Sequence, residues 1–113
     1  MIYAHFTNQN NQINQFTLSG HAESGPEGHD LVCAAASALA IGTTNNLNRI
    51  AAIEPEVDAN EDDGGFLEVI LPHGLDDKQQ EYAQVLLQSL YYSLLDIQEA
   101  YGEFISVSNQ KID

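Results

Sequence analysis

The sequence predicts an α+β fold: a two-layer sandwich of ββαββα order, an antiparallel sheet covered by two helices, with residues 104–107 as a candidate short closing strand. Three observations carry this expectation. Ile2, Ala4 and Phe6 alternate with Tyr3 and His5, the period of a half-buried strand. An alanine-rich stretch opening at Leu31 and a second stretch after Asp77 keep apolar residues at helical spacing. Short apolar runs around Val57 and Val69 flank Asp62, Asp63, Gly64 and Gly65, a turn-forming cluster that reads as a second hairpin.

Taken in order, residues 2–6 form the first strand, and the Asn- and Gln-rich tract over residues 8–15 is read as a hairpin loop. Asn10 and Asn11 suit left-handed turn geometry there. The second strand carries Phe16 and Leu18 and reaches Gly20 and His21, and residues 23–28 lose periodicity and read as a loop. Asp30 is the expected N-cap of a helix over residues 31–49, whose many alanines suit close packing on a sheet. Asp77 and Gln80 have capping-box spacing at the head of the second helix. Its stripe of Ala83, Leu86, Leu87, Leu90, Leu94, Ile97 and Tyr101 runs to Gly102, which suits the position after the helix.

A chain of 113 residues has room for one hydrophobic core, so residues 1–113 are read as a single domain. Apolar residues make up 43%, which belongs to globular chains. Seventeen acidic side chains stand against three basic ones (Arg49, Lys78 and Lys111), a formal charge of −14. Three cations cannot replace the counterions of a nucleic acid or hold an anionic membrane, so both are excluded as direct partners. A protein partner would be basic. The longest apolar run, residues 31–41, falls well short of the ~20 residues that span a bilayer. With one cysteine there is no internal disulfide, and the first residues carry no secretory pattern; the expected compartment is the cytoplasm.

The stretch with chemical content is Gly20-His21-Ala22-Glu23-Ser24-Gly25-Pro26-Glu27-Gly28-His29-Asp30-Leu31-Val32-Cys33-Ala34-Ala35-Ala36-Ser37. With Asp30 as cap, Cys33 falls in the first turn, among unbonded amides at the positive end of the helix dipole. That setting favours the thiolate, and His21 across the loop supplies an imidazole, the minimum for covalent acyl transfer. Residue types alone leave a second reading open. Cys33 also fits as a small buried apolar group, Asp30 as a plain cap, and Ser37 as a hydroxyl bonded back to a carbonyl.

The run Gly20-His21-Ala22, a short loop, then Gly28-x-Asp30-Leu31-Val32-Cys33-Ala34-Ala35-x-Ser37-x-Leu39 resembles the signature of the ribosomal-processing cysteine protease family, Prp. The element order and length agree with that family. Its members are bacterial endopeptidases that remove a short N-terminal extension from a large-subunit ribosomal protein. Carried over by match, the resemblance implies Cys33 as nucleophile and His21 as general base, with Asp30 and Ser37 in supporting positions. Gly20 and Gly28 would bracket a mobile loop, and His29, in a variable position, would be a bystander. It implies no metal and no cofactor, a basic ribosomal protein precursor as substrate, a homodimer, and an apolar cleft for aromatic residues before the cut. Two other readings compete: an acidic, non-catalytic adaptor for a basic ribosomal protein or assembly factor, and a metal site from His21, His29 and Cys33, with Asp30 as a further candidate, which has no recognised ligand spacing.

Overall fold

The computed structural model describes residues 1–21, 25 and 28–112, with Asp63 described by its backbone alone. The strands β1 (Ile2–Gln9) and β2 (Gln12–Ser19) pair antiparallel, and the alternation read at the N-terminus sets their register: Ala4 faces Leu18 and Phe6 faces Phe16. The Asn- and Gln-rich tract is strand for most of its length, because ladder hydrogen bonds need no apolar side chain. Only Asn10 and Asn11 turn, both at positive φ (55° and 62°).

Helix α1 (His29–Ala51) follows, then β3 (Glu56–Asn60), a short 3₁₀ turn (Asp62–Gly64), β4 (Phe66–Ile70), helix α2 (Asp77–Tyr101) and β5 (Ile105–Ile112). The spatial order is β3-β4-β2-β1-β5. The closing strand is longer than its sequence suggests and runs parallel to β1, so the sheet is mixed rather than wholly antiparallel. The physical reason is where α2 ends. The Ile2 amide donates to the Phe104 carbonyl at 2.8 Å, which starts β5 beside the start of β1 and points both strands the same way.

The core lies between the sheet and the two helices. Ile2, Ala4, Phe6, Phe16, Leu18, Val69 and Ile105 come from the sheet; Val32, Ala36, Ala40, Leu87, Leu90 and Leu94 come from the helices. Each such Leu or Phe contributes about 1.5–3 kcal/mol by leaving water. Phe6 stacks on Phe16 and meets Tyr91 of α2 edge-on, at ring-centroid distances of 5.8 and 5.1 Å.

Both helices start differently from the sequence reading. The cap of α2 is Asp76, not Asp77: its carboxylate accepts from the Gln79 amide at 2.8 Å while the Gln79 side chain accepts from the Asp76 amide at 3.1 Å. At α1 the cap is Gly28 (φ 94°), with no side-chain cap bond, and Asp30 sits inside the first turn. A glycine in the left-handed region turns the chain into the helix without a capping carboxylate. At the far end of α2, Gly102 is right-handed (φ −61°), so that helix ends without a left-handed residue. The loop expected over residues 23–28 lies largely outside the described residues.

Candidate active site

Cys33 is the fifth residue of α1 and 6% exposed. This corrects its expected place among unbonded amides. Intrahelical bonding begins with the Val32 amide donating to the Gly28 carbonyl at 3.3 Å, one residue before Cys33. The sulfur still lies toward the positive end of the helix, since Cα–Cβ bonds in a helix tilt toward its N-terminus.

Among the described residues, the Gly20 carbonyl and the His29 ring come close to the sulfur. Sγ lies 3.8 Å from the Gly20 carbonyl oxygen, just past the end of β2. The His29 ring lies on its other flank, with Nδ1 at 3.4 Å and Nε2 at 3.8 Å. Since Gly20 is bonded to His21, the first contact brings the head of the His21 backbone to the thiol. Within the described residues Nδ1 of His21 is buried and has no hydrogen-bond partner. A buried imidazole nitrogen without a partner is costly in a purely structural side chain and is available for proton transfer.

Gly20 is fixed from both sides. Its amide donates to the Gly65 carbonyl at 3.0 Å, its φ is +80°, and an added Cβ would strike the Met1 carbonyl oxygen. Gly28 also has positive φ, and its Cβ position faces the Phe104 ring at 3.4 Å. The two glycines of the motif therefore hold the strand end and the helix start around the sulfur.

Among the described residues neither Asp30 nor Ser37 makes a hydrogen bond to the sulfur. Asp30 is exposed in the first turn, where its charge complements the helix dipole. The Ser37 hydroxyl makes no hydrogen bond among the described residues, unlike Thr43 and Thr44, which bond back to Leu39 and Ala40. The sequence reading takes His29 for a bystander in a variable position and gives Phe104 no place in the site. His29 is 3% exposed, and its ring meets Phe104 in a T-shaped contact at 5.8 Å. The i,i+4 spacing of His29 and Cys33 carries the signal, but it is visible only once the helix is started at residue 29. Among the described residues no group of three or more His, Cys, Asp or Glu side chains is placed to hold a metal ion, and no helix is long and apolar enough to cross a membrane.

A helix-borne thiol beside the strand-end glycine, on an open α+β sandwich, fits a thiol peptidase. The chain matches the family model for cysteine protease Prp over residues 1–106 and belongs to that family. It is 34% identical to the ribosomal processing cysteine protease Prp of Bacillus subtilis over 100 residues, 88% of each chain. Its fold matches the ribosomal processing protease Prp of S. aureus solved with a substrate peptide: TM-score 0.83 at 30% identity, covering 97% of this chain and 100% of that one. The same protease with a covalently linked product peptide gives a TM-score of 0.79 at 31% identity over the same shares of the two chains. The protein SMU.848 of Streptococcus mutans superposes with a TM-score of 0.91 at 29% identity, covering 99% and 96%.

Proposed function

We propose that residues 1–113 act as one cysteine endopeptidase domain that removes the N-terminal extension of a large-subunit ribosomal protein precursor, with Cys33 as nucleophile and His21 as general base. The observation that carries this reading is the placement of the Cys33 sulfur against the Gly20 carbonyl, at the head of the His21 residue whose buried Nδ1 has no partner among the described residues. The covalently linked product peptide of the staphylococcal relative supports a thioester route.

In that route the Cys33 thiolate adds to the scissile carbonyl carbon. The resulting oxyanion collapses, the C–N bond breaks, and protonated His21 gives its proton to the leaving amine. Water then adds to the thioester as His21 takes its proton, and collapse releases the acid and restores the thiolate. Gly20 and Gly28 shape the site through their backbones. Asp30 and Ser37 serve as supporting residues on the same helix. Leu31, 64% exposed in the first turn, offers apolar surface for an aromatic residue before the cut.

The substrate in this reading is basic, matching the −14 charge, and the compartment is the cytoplasm. The working unit is a homodimer: Tyr82, Val85 and Tyr92 form an exposed apolar stripe on α2, more than the sheet face uses. Light scattering at the monomer mass would remove the dimer. The central test incubates the precursor with wild type and Cys33→Ala and weighs the products. Wild type should release the extension and Cys33→Ala should lose at least about a thousandfold in rate. Full activity of the variant would overturn the assignment.

A further inference from the structure

We propose that the face of the sheet turned away from the helices is the surface on which the substrate protein docks, taking an extended segment rich in Lys and Arg that lies a few residues from the scissile bond. This deepens the peptidase reading and rests on it for the identity of the partner. The strand registers lay the face out row by row. Tyr3, Ser19 and Phe66 stand side by side across β1, β2 and β4. His5, Thr17, Glu68 and Asp58 form the next row, and Glu56 follows two residues before Asp58 on β3. None of the chain's three cations is on this face. Arg49 and Lys78 sit on the helices, and Lys111 alternates with Ser108 and Gln110, which bond His5 here, so it points to the other side.

Charge complementarity selects the occupant. Asp58 and Glu68 are directly opposed, and like charges in that position repel. Gln15 donates to Glu68 at 3.4 Å, while Asp58 has no hydrogen-bond or ion-pair partner among the described residues. A Lys or Arg side chain laid between the two carboxylates replaces that repulsion with attraction. Tyr3, 57% exposed, offers its ring to a second cation. His5 is tied to Ser108 at 2.6 Å and to Gln110 at 3.3 Å, so this part of the face is held in shape before anything binds. The face also begins at the site, because Ser19 precedes Gly20, whose carbonyl faces the Cys33 sulfur. Three residues of β2 and two strand steps separate Gly20 from Asp58, roughly 14 Å, which about four or five extended residues of substrate span.

Oligolysine titrated into the isotope-labelled full chain reads the surface without any cleavage. Amide shifts should concentrate on Tyr3, Thr17, Glu68 and Asp58 and leave the exposed Glu81 and Asp96 of α2 in place. Two double variants with the same change in net charge separate docking from the overall field: Asp58→Asn with Glu68→Gln, and Glu81→Gln with Asp96→Asn. The sheet variant should bind oligolysine about fivefold more weakly and raise KM for the precursor by a similar factor with kcat unchanged, while the α2 variant stays within about twofold of wild type. Absent shifts, shifts spread evenly over the acidic residues, or equal losses in the two variants would overturn the proposal, since a diffuse field acts on both alike. The titration of wild type decides even if a variant fails to fold. Oligolysine binding is read whether or not the protein cleaves anything, so failure of the peptidase reading shows separately as uncut precursor.

Discussion

Gly20 and Cys33 meet where sheet gives way to helix, the sulfur 3.8 Å from a carbonyl whose own residue is bonded to Gly65 and turned to φ +80°. Substitution Gly20→Ala should therefore damage fold and site together. The left-handed backbone costs an L-residue roughly 1–2 kcal/mol, and the collision with Met1 adds to it. Urea unfolding should register a loss of at least about 2 kcal/mol, and cleavage by the fraction still folded should also fall, because the carbonyl facing the sulfur shifts.

Ala52 makes the opposite case. It ends α1 at φ 54°, its amide donating to Asn48 and the next amide, of buried Ile53, to Leu47, each at 3.0 Å. The bond from the left-handed residue to Asn48 is the 5→1 bond of an αL helix end, with alanine where glycine is preferred. Ala52→Gly should raise stability by about 0.5–1 kcal/mol and the melting temperature by a few degrees, leaving cleavage unchanged. A lower melting temperature would contradict it.

These two positions also mark what the sequence can disclose. The alternation of Ile2, Ala4 and Phe6 and the stripe of Ala83, Leu87, Leu90 and Leu94 are legible because each buries one face against the core. The start of α1 is not, because capping preferences point to Asp30 whereas the chain turns on Gly28. That offset hides His29, whose burial depends on helical phase. The strand β5 is faint for a different reason. Past Ile105 and Val107 its residues are exposed edge positions held by pairing with β1, and composition says little about backbone pairing. The motif that locates Cys33, His21, Gly20 and Gly28 is legible at once, being contiguous in sequence.

Gln84 of α2 is another contact that no pattern announces. Its side-chain amide accepts from the Ile13 amide and donates to the Ile13 carbonyl, both at 2.8 Å, tying the helix to β2 beside the hairpin turn. Gln84→Ala removes both bonds and should cost about 1–3 kcal/mol. Hydrogen exchange should quicken at Ile13 and its hairpin neighbours while the amides of α1 keep their protection, a local loosening rather than a global one.

The charge yields the last prediction. Asp58 stands directly opposite Glu68 across β3 and β4, with Glu56 two residues away on the same face, so that end of the open sheet carries like charges side by side. With an overall −14, the field around the protein attracts a basic precursor over distances that salt controls. The screening length shrinks from about 14 Å at 0.05 M salt to about 6 Å at 0.3 M, so capture should weaken while bond-making inside the site does not. For a basic substrate kcat/KM should therefore fall several-fold over that range with kcat nearly constant, and a neutral peptide spanning the same cleavage site should show no such fall. Equal salt dependence for the two substrates would confine the acidity of this chain to solubility.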